Sequence, residues 1–400
     1  MRVLFISLSD MRSITEHGLY SDLLREFVRY GHAVTILSPV ERRTRKHTEV
    51  YEEAGAKFIK VKVGNIQKTN YIEKMISILL LKYQILNSIK RYCGDIEFDL
   101  ILYATPPVTI AGVIEKIKNK TKARTILMLK DIWPQEMVDL GLISDRGFIY
   151  RYFKRLEGKI YAISDKIGYT SLANKNYLMS EGVPECKLIA INNSVDVTYK
   201  NKIDRKSEDV LNKYAIDFGS TIFFYGGNLG KPQDIDYLID CLMTQVNKDD
   251  RSFIICGQGT EYKKLEMFFN NQKPRNMLLL PYLPKEEYDQ LIMASDVGMV
   301  FLNHRFTVPN CPSRFYTYME YSKSVLACTD TATDIKDDIN TGEFGWWIKS
   351  DSVSAFQNII DAICQEGKSG LMERGKKARV YLENNFTVDK DYQRIMRSMW

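Results

Sequence analysis

Four hundred residues exceed one ordinary hydrophobic core, so two domains of roughly 200 residues are expected. Hydrophobic residues at 45% and charged residues at 26% fit a folded, water-soluble chain, and no apolar run approaches the roughly 20 residues that span a bilayer. Charge is uneven: residues 1–200 hold 31 Lys and Arg against 22 Asp and Glu, net +9, whereas residues 201–400 come to −3. The first half is therefore expected to meet something anionic, whether membrane, nucleic acid or a phosphorylated substrate.

Residues 3–7 (VLFIS) read as a first buried strand. A loop over residues 8–18 leads to a helix over about 19–30, with Leu23, Leu24, Phe27 and Val28 inward and Gly31 as its terminator. His32 is expected to fix the turn into a second strand at 33–37, which makes a βαβ start and a parallel sheet. Further strands are expected at 57–63, 98–103, 125–129, 166–170 and 187–191. Between two of them, residues 70–92 form a helix that is apolar nearly all round and studded with Lys74, Lys82, Lys90 and Arg91. It reads as a core helix or as a basic amphipathic helix lying on anionic lipid. The polar stretch 201–207 (NKIDRKS) is the expected linker.

A second βα series follows, with strands at 221–225, 252–256, 277–280, 297–302, 325–329 and 345–348. C-terminal helices are expected at about 354–364, 372–383 and from 388 onward. The expected domains are 1–200, 201–380 and a closing helix, 381–400, that packs back towards the first. Ligands in such sheets sit at the carboxyl ends of strands, here in a cleft between two facing domains.

The strand ends of the second domain carry groups suited to a phosphorylated ligand. After 221–225 come Gly227, Asn228, Gly230 and Lys231, then a helix beginning near Asp234. A strand, a glycine loop and a helix start hold phosphate through close backbone, free N–H groups and the helix dipole. Gly257 follows the next strand, and Tyr282-Leu283 the one after. Pro312, Ser313 and Arg314 open another helix, with a guanidinium at its start. Asp234 and Asp236 form a D-x-D, read as acids at a helix start rather than a metal pair. His304 and Arg305 are weaker candidates on a nearby loop.

In the first domain, Lys130-Asp131 ends a strand ahead of Trp133-Pro134, where a carboxylate can act as a base or orient a hydroxyl. His17 and Gly18 lie in the loop after the first strand. Seven cysteines with no C-x-x-C point to reduced thiols in a cytosol, not to a zinc cluster. Residues 1–8 are too short for a signal peptide.

Assembled, these residues resemble the retaining GT-B glycosyltransferases of family GT4, nearest the bacterial branch that builds capsule and O-antigen sugars and includes N-acetylfucosamine transferases. The resemblance rests on Tyr30-Gly31-His32, Asp131-Ile132-Trp133-Pro134-Gln135, Asn192-Asn193-Ser194-Val195-Asp196, Gly227-Asn228-Leu229-Gly230-Lys231 and Pro312-Ser313-Arg314 through Lys323-Ser324-Val325. Pro309 and Thr317 stand where the family often has two glutamates, Gln233-Asp234 where it has Lys-Gly, and Ser194, Ser322 and Ser324 where it has two glycines and a proline.

The resemblance implies a fold of two Rossmann-like, doubly wound domains. It implies transfer of a sugar from a nucleotide diphosphate, expected to be a UDP-N-acetyl amino sugar, with retained configuration and no dedicated metal or cofactor. Asp131, Lys231 and Arg314 would be catalytic. Gly227, Asn228, Gly230, Gly257, Tyr282, Leu283, Pro312, Ser313 and Thr317 would join Lys231 and Arg314 on the donor, and His17, Gly18 and Lys130 would join Asp131 on the acceptor. A polyprenyl-diphosphate-linked saccharide suits the basic first half. The chain is then a cytoplasmic enzyme held at the inner membrane face, with no nucleic acid partner. A UDP-sugar 2-epimerase on the same fold and a non-catalytic sugar-nucleotide-binding subunit are the other readings.

Overall fold

Strand β1 (Arg2–Ile6) is buried over its last four residues and lies in the middle of an eight-stranded sheet. That sheet is completed by β2 (Ala33–Glu41), β3 (Glu49–Glu53), β4 (Ala56–Val63), β5 (Leu100–Thr105), β6 (Arg124–Leu129), β7 (Lys166–Tyr169) and β8 (Leu188–Ala190). The order is β3-β4-β2-β1-β5-β6-β7-β8, with every pairing parallel except β3 with β4. The computed structural model describes residues 1–66, 71–94, 96–198, 207–217 and 219–399. Residues 201–206 of the expected linker lie outside them.

The first sheet is clothed by α1 (Leu19–Arg29), α2 (Tyr71–Cys93), α3 (Ala111–Thr121), α4 (Gln135–Asp139), α5 (Phe148–Ile163) and α6 (Leu172–Ser180). Helix α1 ends as its sequence dictates. Gly31 takes φ 77, its N–H bonds the Val28 carbonyl, and the His32 N–H bonds that of Phe27, closing a Schellman turn. His32 is structural: its ring sits 3.2 Å from the chain's amino terminus on one side and 2.8 Å from the Tyr392 hydroxyl on the other. Strand β3 has no counterpart in the sequence reading. It is an edge strand rich in glutamate and mostly solvent-facing, so it shows no apolar run.

The second sheet is six-stranded and wholly parallel, in the order β11-β10-β9-β12-β13-β14. It comprises β9 (Thr221–Asn228), β10 (Arg251–Gln258), β11 (Met277–Leu280), β12 (Val297–Phe301), β13 (Ser324–Thr329) and β14 (Gly345–Lys349). The helices of this half are α7 (Ser207–Lys213), α8 (Ile235–Met243), α9 (Tyr262–Gln272), α10 (Lys285–Ala294), α11 (Ser313–Glu320), α12 (Ile335–Gly342) and α13 (Val353–Asn385), the last broken at Gly367. Its core is aromatic, with Phe223 stacked on Phe253 and with Tyr225, Phe301 and Phe356 buried.

By internal contacts the chain forms two units, Met1–Asp196 with Val388–Trp400, and Val197–Thr387. The last helix, α14 (Val388–Ser398), thus belongs to the first unit, and the chain crosses at 387/388 where the sequence suggested 380/381. Tyr392 stacks on Tyr30 with ring centroids 4.3 Å apart and meets Phe27 edge-on. Ser194 donates to the buried Asp391 carboxylate at 2.6 Å.

Candidate functional site

In the second unit, β9 and β10 run in register to their ends, pairing Gly227 with Gly257 and Asn228 with Gln258. The two glycines are there because the backbones crowd. A Cβ on Gly257 would overlap the Gly227 carbonyl, and Gly227 has φ 117. These ends floor a pocket of about 410 Å³, within the usual range for small-molecule sites. Cys256, Leu283, Lys285 and Tyr288 form part of its walls, with Tyr282 at 69% exposure on its rim. Five residues singled out from the sequence, Gly227, Asn228, Gly257, Tyr282 and Leu283, therefore share one cavity. Gln258, from the same Gly257-Gln258-Gly259 strand end, lines it too, whereas Lys285 and Tyr288 come from α10, for which the sequence analysis has no element.

Arg314 stands in the first turn of α11, beside Gly227. Its guanidinium covers the Tyr225 ring at 4.4 Å, Nη2 donates to the Asn228 carbonyl at 3.4 Å and lies 3.3 Å from where a Gly227 Cβ would be. Nη1 is buried and has no hydrogen-bond partner among the described residues. An unpaired buried charged donor is costly, and the natural remedy is an anion. The N-cap of α11 is Pro312, with no side-chain cap; the Phe315 N–H bonds the Pro312 carbonyl at 3.0 Å, which leaves the N–H groups of Ser313 and Arg314 at the helix start. Thr317 bonds back to the Ser313 carbonyl.

The other expected helix start differs. A 3-10 turn, Lys231–Gln233, separates the glycine loop from α8, and Asp234 caps α8 with its own carboxylate, accepting the Tyr237 N–H. That start already carries an anion and cannot serve phosphate as the sequence suggested. Asp236 is bonded to Lys264, so the D-x-D carboxylates serve separate partners. Gln233 holds the loop, its Oε1 accepting from Asn228 Nδ2 at 2.9 Å and from the Gly230 N–H at 3.2 Å. Lys231 is exposed at the start of the 3-10 turn and does not line the pocket.

In the first unit, His17 and Gly18 are both anchored on the buried Asp22 carboxylate, His17 Nδ1 at 2.8 Å and the Gly18 N–H at 3.0 Å. Burial raises the Asp22 pKa, but the bonds from His17 and Gly18 and the Arg25 charge hold it below the ordinary value. Lys130 donates to the Asn193 side chain at 2.9 Å and the Asn192 carbonyl. Asp131 follows β6, half-buried, and its carboxyl is raised by burial against the opposing charge of Lys130. Its unforeseen neighbour is Glu136 of α4, raised by burial and then by Asp131, with Oε1 accepting the Ile132 N–H at 3.1 Å. At neutral pH this pair holds on to a proton, giving one acid and one base in one place. Tyr20 is near enough for the Asp131 charge to raise its hydroxyl further above the phenol range.

A second pocket of about 280 Å³ lies at the ends of β1, β2 and β4, lined among others by Asp10, Arg12, Glu41, Arg43, Tyr51 and Lys60. Lys60 is buried, bonding Asp10, the Met11 carbonyl at 2.7 Å and Ser38 at 2.9 Å. The loop sequence gave no signal for it, because its charges come from four separate segments.

Residues 20–199 match the family model described as Glycosyltransferase Family 4. A curated relative, the probable glycosyltransferase WbjE of Pseudomonas aeruginosa, is 23% identical over 290 residues, 72% of this chain and 71% of that protein. The chain is a transferase enzyme whose residues 20–199 are similar to Glycosyltransferase Family 4. Its fold is that of GT-B glycosyltransferases. Sucrose-phosphate synthase from Thermosynechococcus elongatus superposes on this transferase with a TM-score of 0.73 at 13% identity, over 99% of this chain and 97% of its own. Anabaena HepE, solved in complex with UDP-glucose, gives 0.70 at 14% identity over 100% and 99%.

Proposed function

We propose that this transferase moves a sugar from a nucleotide diphosphate to a lipid-linked saccharide, in capsular or O-antigen polysaccharide synthesis. The carrying observation is the buried, partnerless Nη1 of Arg314 beside Gly227, at the mouth of the 410 Å³ pocket and the open start of α11. A diphosphate supplies the missing acceptor oxygens there, and the same charge stabilises the diphosphate as it leaves. The pocket next to it, with exposed Tyr282 on its rim, suits a base and ribose. HepE, similar over its whole length, was solved with UDP-glucose, which favours a UDP-sugar. An N-acetyl amino sugar, as in the N-acetylfucosamine branch, is the finer reading.

The acceptor would be engaged by the first unit, where Asp131, with Glu136 beside it, would orient its hydroxyl. The transfer is read as retaining and metal-independent, with Arg314 and Lys231 taking the electrostatic role and the departing phosphate taking the proton. The basic first half supports a peripheral position on the inner face of an anionic membrane.

The test is calorimetric titration with UDP and UDP-N-acetyl sugars in the presence of EDTA, followed by product analysis on lipid-linked saccharide. Arg314→Ala should lower turnover about 100- to 1,000-fold with the fold intact, and Lys231→Ala, further from the pocket, should cost less. Wild-type rates in Arg314→Ala, or dependence on added magnesium, would overturn the reading. Release of a C2-epimerised sugar without acceptor would replace it with the epimerase.

A further inference from the structure

On the first unit, α5 turns apolar side chains outward. Phe148 is 82% exposed, and Ile149, Tyr152 and, in the preceding turn, Leu142 are also exposed. Phe148 and Tyr152 are four residues apart and project together. The rest of that outer face is Arg151, Arg155 and Lys159, with exposed Arg146 just ahead of the helix. The one acid of α5, Glu157, is buried on the opposite face and paired with Lys154. Asp145, beside Arg146, is the exposed acid of this stretch. Aromatic rings interleaved with arginines along one helix face is the pattern of a segment that lies in a lipid headgroup layer.

The inner side of the same helix supports the acceptor segment. Tyr150 donates to Gln135 at 3.0 Å, and Phe153 meets Trp133 edge-on with centroids 4.0 Å apart. Trp133 and Gln135 flank the turn that follows Asp131. Helix α2 adds a second apolar stripe, the exposed Ile76, Leu80 and Tyr83. Right-handed crossovers put α2, α3 and α5 on one face of the sheet, and Lys159 of α5 bonds Glu115 of α3 at 2.6 Å. Helix α2 is otherwise a packing helix, with Leu81 and Ile85 buried and two exposed cations, Lys90 and Arg91, in its last turn.

We propose that the outward face of α5, centred on Phe148 and Tyr152 and flanked by Arg146, Arg151 and Arg155, docks on an anionic bilayer. The rings enter the headgroup boundary and the guanidinium groups meet lipid phosphates. The occupant is a membrane because the cations complement its charge and the half of the chain that bears them is net +9. This rests on the reading of the acceptor as lipid-linked, which such docking would bring to the Asp131 segment.

The experiment is co-sedimentation of the full chain with phosphatidylcholine vesicles, with and without phosphatidylglycerol, over a salt series. Binding should need phosphatidylglycerol and fall with salt. Arg151→Gln with Arg155→Gln should weaken it about 30-fold. Phe148→Ser with Tyr152→Ser should abolish it, whereas Ile76→Ser with Leu80→Ser should weaken it less. The thermal unfolding transition of the first unit should be unchanged in all of them, which shows that each is folded. Wild-type binding in the α5 variants overturns the proposal, as does equal binding to neutral vesicles. A dimer that Phe148→Ser dissociates also overturns it, because a second copy then covers this face. Vesicle binding that depends on α5, without any transfer product, supports the docking face and overturns only the lipid-linked reading.

Discussion

Arg314 shows what a single residue can and cannot reveal in sequence. Its place after Pro312-Ser313 marked it as a charge at a helix start, but only packing shows it buried over Tyr225 with one nitrogen unpaired. Lys231 looked equivalent and lies exposed, because a short 3-10 turn carries it away from the pocket. Glu136 was missed for a related reason. It is five residues beyond Asp131, and the tight Trp133-Pro134 turn folds α4 back so that the two carboxyls interact. Both are pushed above the ordinary carboxylate range, principally by burial. The native state therefore binds protons more tightly than the unfolded chain, and its stability is lost as pH rises from that range, near 4, through the folded pKa values. Glu136→Gln keeps an oxygen for the Ile132 N–H and removes the titration. Its melting temperature should match wild type near pH 4 and exceed it at pH 8, measured by thermal denaturation across that interval. A variant less stable than wild type at pH 8 would mean that the carboxylate is held charged by a cation.

At the scale of elements, periodicity located nearly every central strand, because parallel strands buried on both faces read as unbroken apolar runs. Boundary chemistry was legible where one residue decides it, as at Gly31, and misleading where a side chain competes, as at Asp234 on α8. Helix α11 ends on a departure from the family resemblance. Ser322, standing where a glycine is usual, has φ 54, and the Lys323 N–H bonds the Tyr318 carbonyl to close the turn. A residue with a Cβ pays roughly 1–2 kcal/mol to sit in that left-handed region. Ser322→Gly should relieve the strain, less the extra freedom that glycine gains when unfolded, for a net stabilisation of about 0.5–1 kcal/mol. Urea denaturation reads this directly as a higher midpoint at unchanged slope. Since α11 carries Arg314 at its other end, UDP affinity in the same variant should stay at the wild-type value, and a loss of affinity would show that the strained turn positions the site.

For the whole molecule, the sequence marked two α/β halves and a closing helix, while the exact crossing points depend on contacts remote in sequence. The second unit is one continuous segment, Val197–Thr387, with its own aromatic core and the whole of the 410 Å³ pocket together with Arg314. Its first and last stretches are tied to each other, as Arg379 donates to the Val197 carbonyl at 2.7 Å. The first unit is discontinuous. Without α14 it would lose the buried Tyr392 and Ile395, the stack on Tyr30, the bond to His32 and the partner of Ser194. Removing one large buried aromatic typically costs about 3–5 kcal/mol, a large share of the 5–15 kcal/mol that holds a domain together. Residues 197–387 expressed alone should therefore melt cooperatively and bind UDP within about threefold of the full chain, since the pocket and Arg314 are both kept and each 1.4 kcal/mol is tenfold. Residues 1–196 alone should lack a cooperative transition and regain one when residues 388–400 are fused to their carboxyl end through a flexible linker. Cooperative folding of 1–196 by itself would show that α14 covers a unit already complete. Failure of 197–387 to bind UDP while folded would show that donor recognition draws on the first unit.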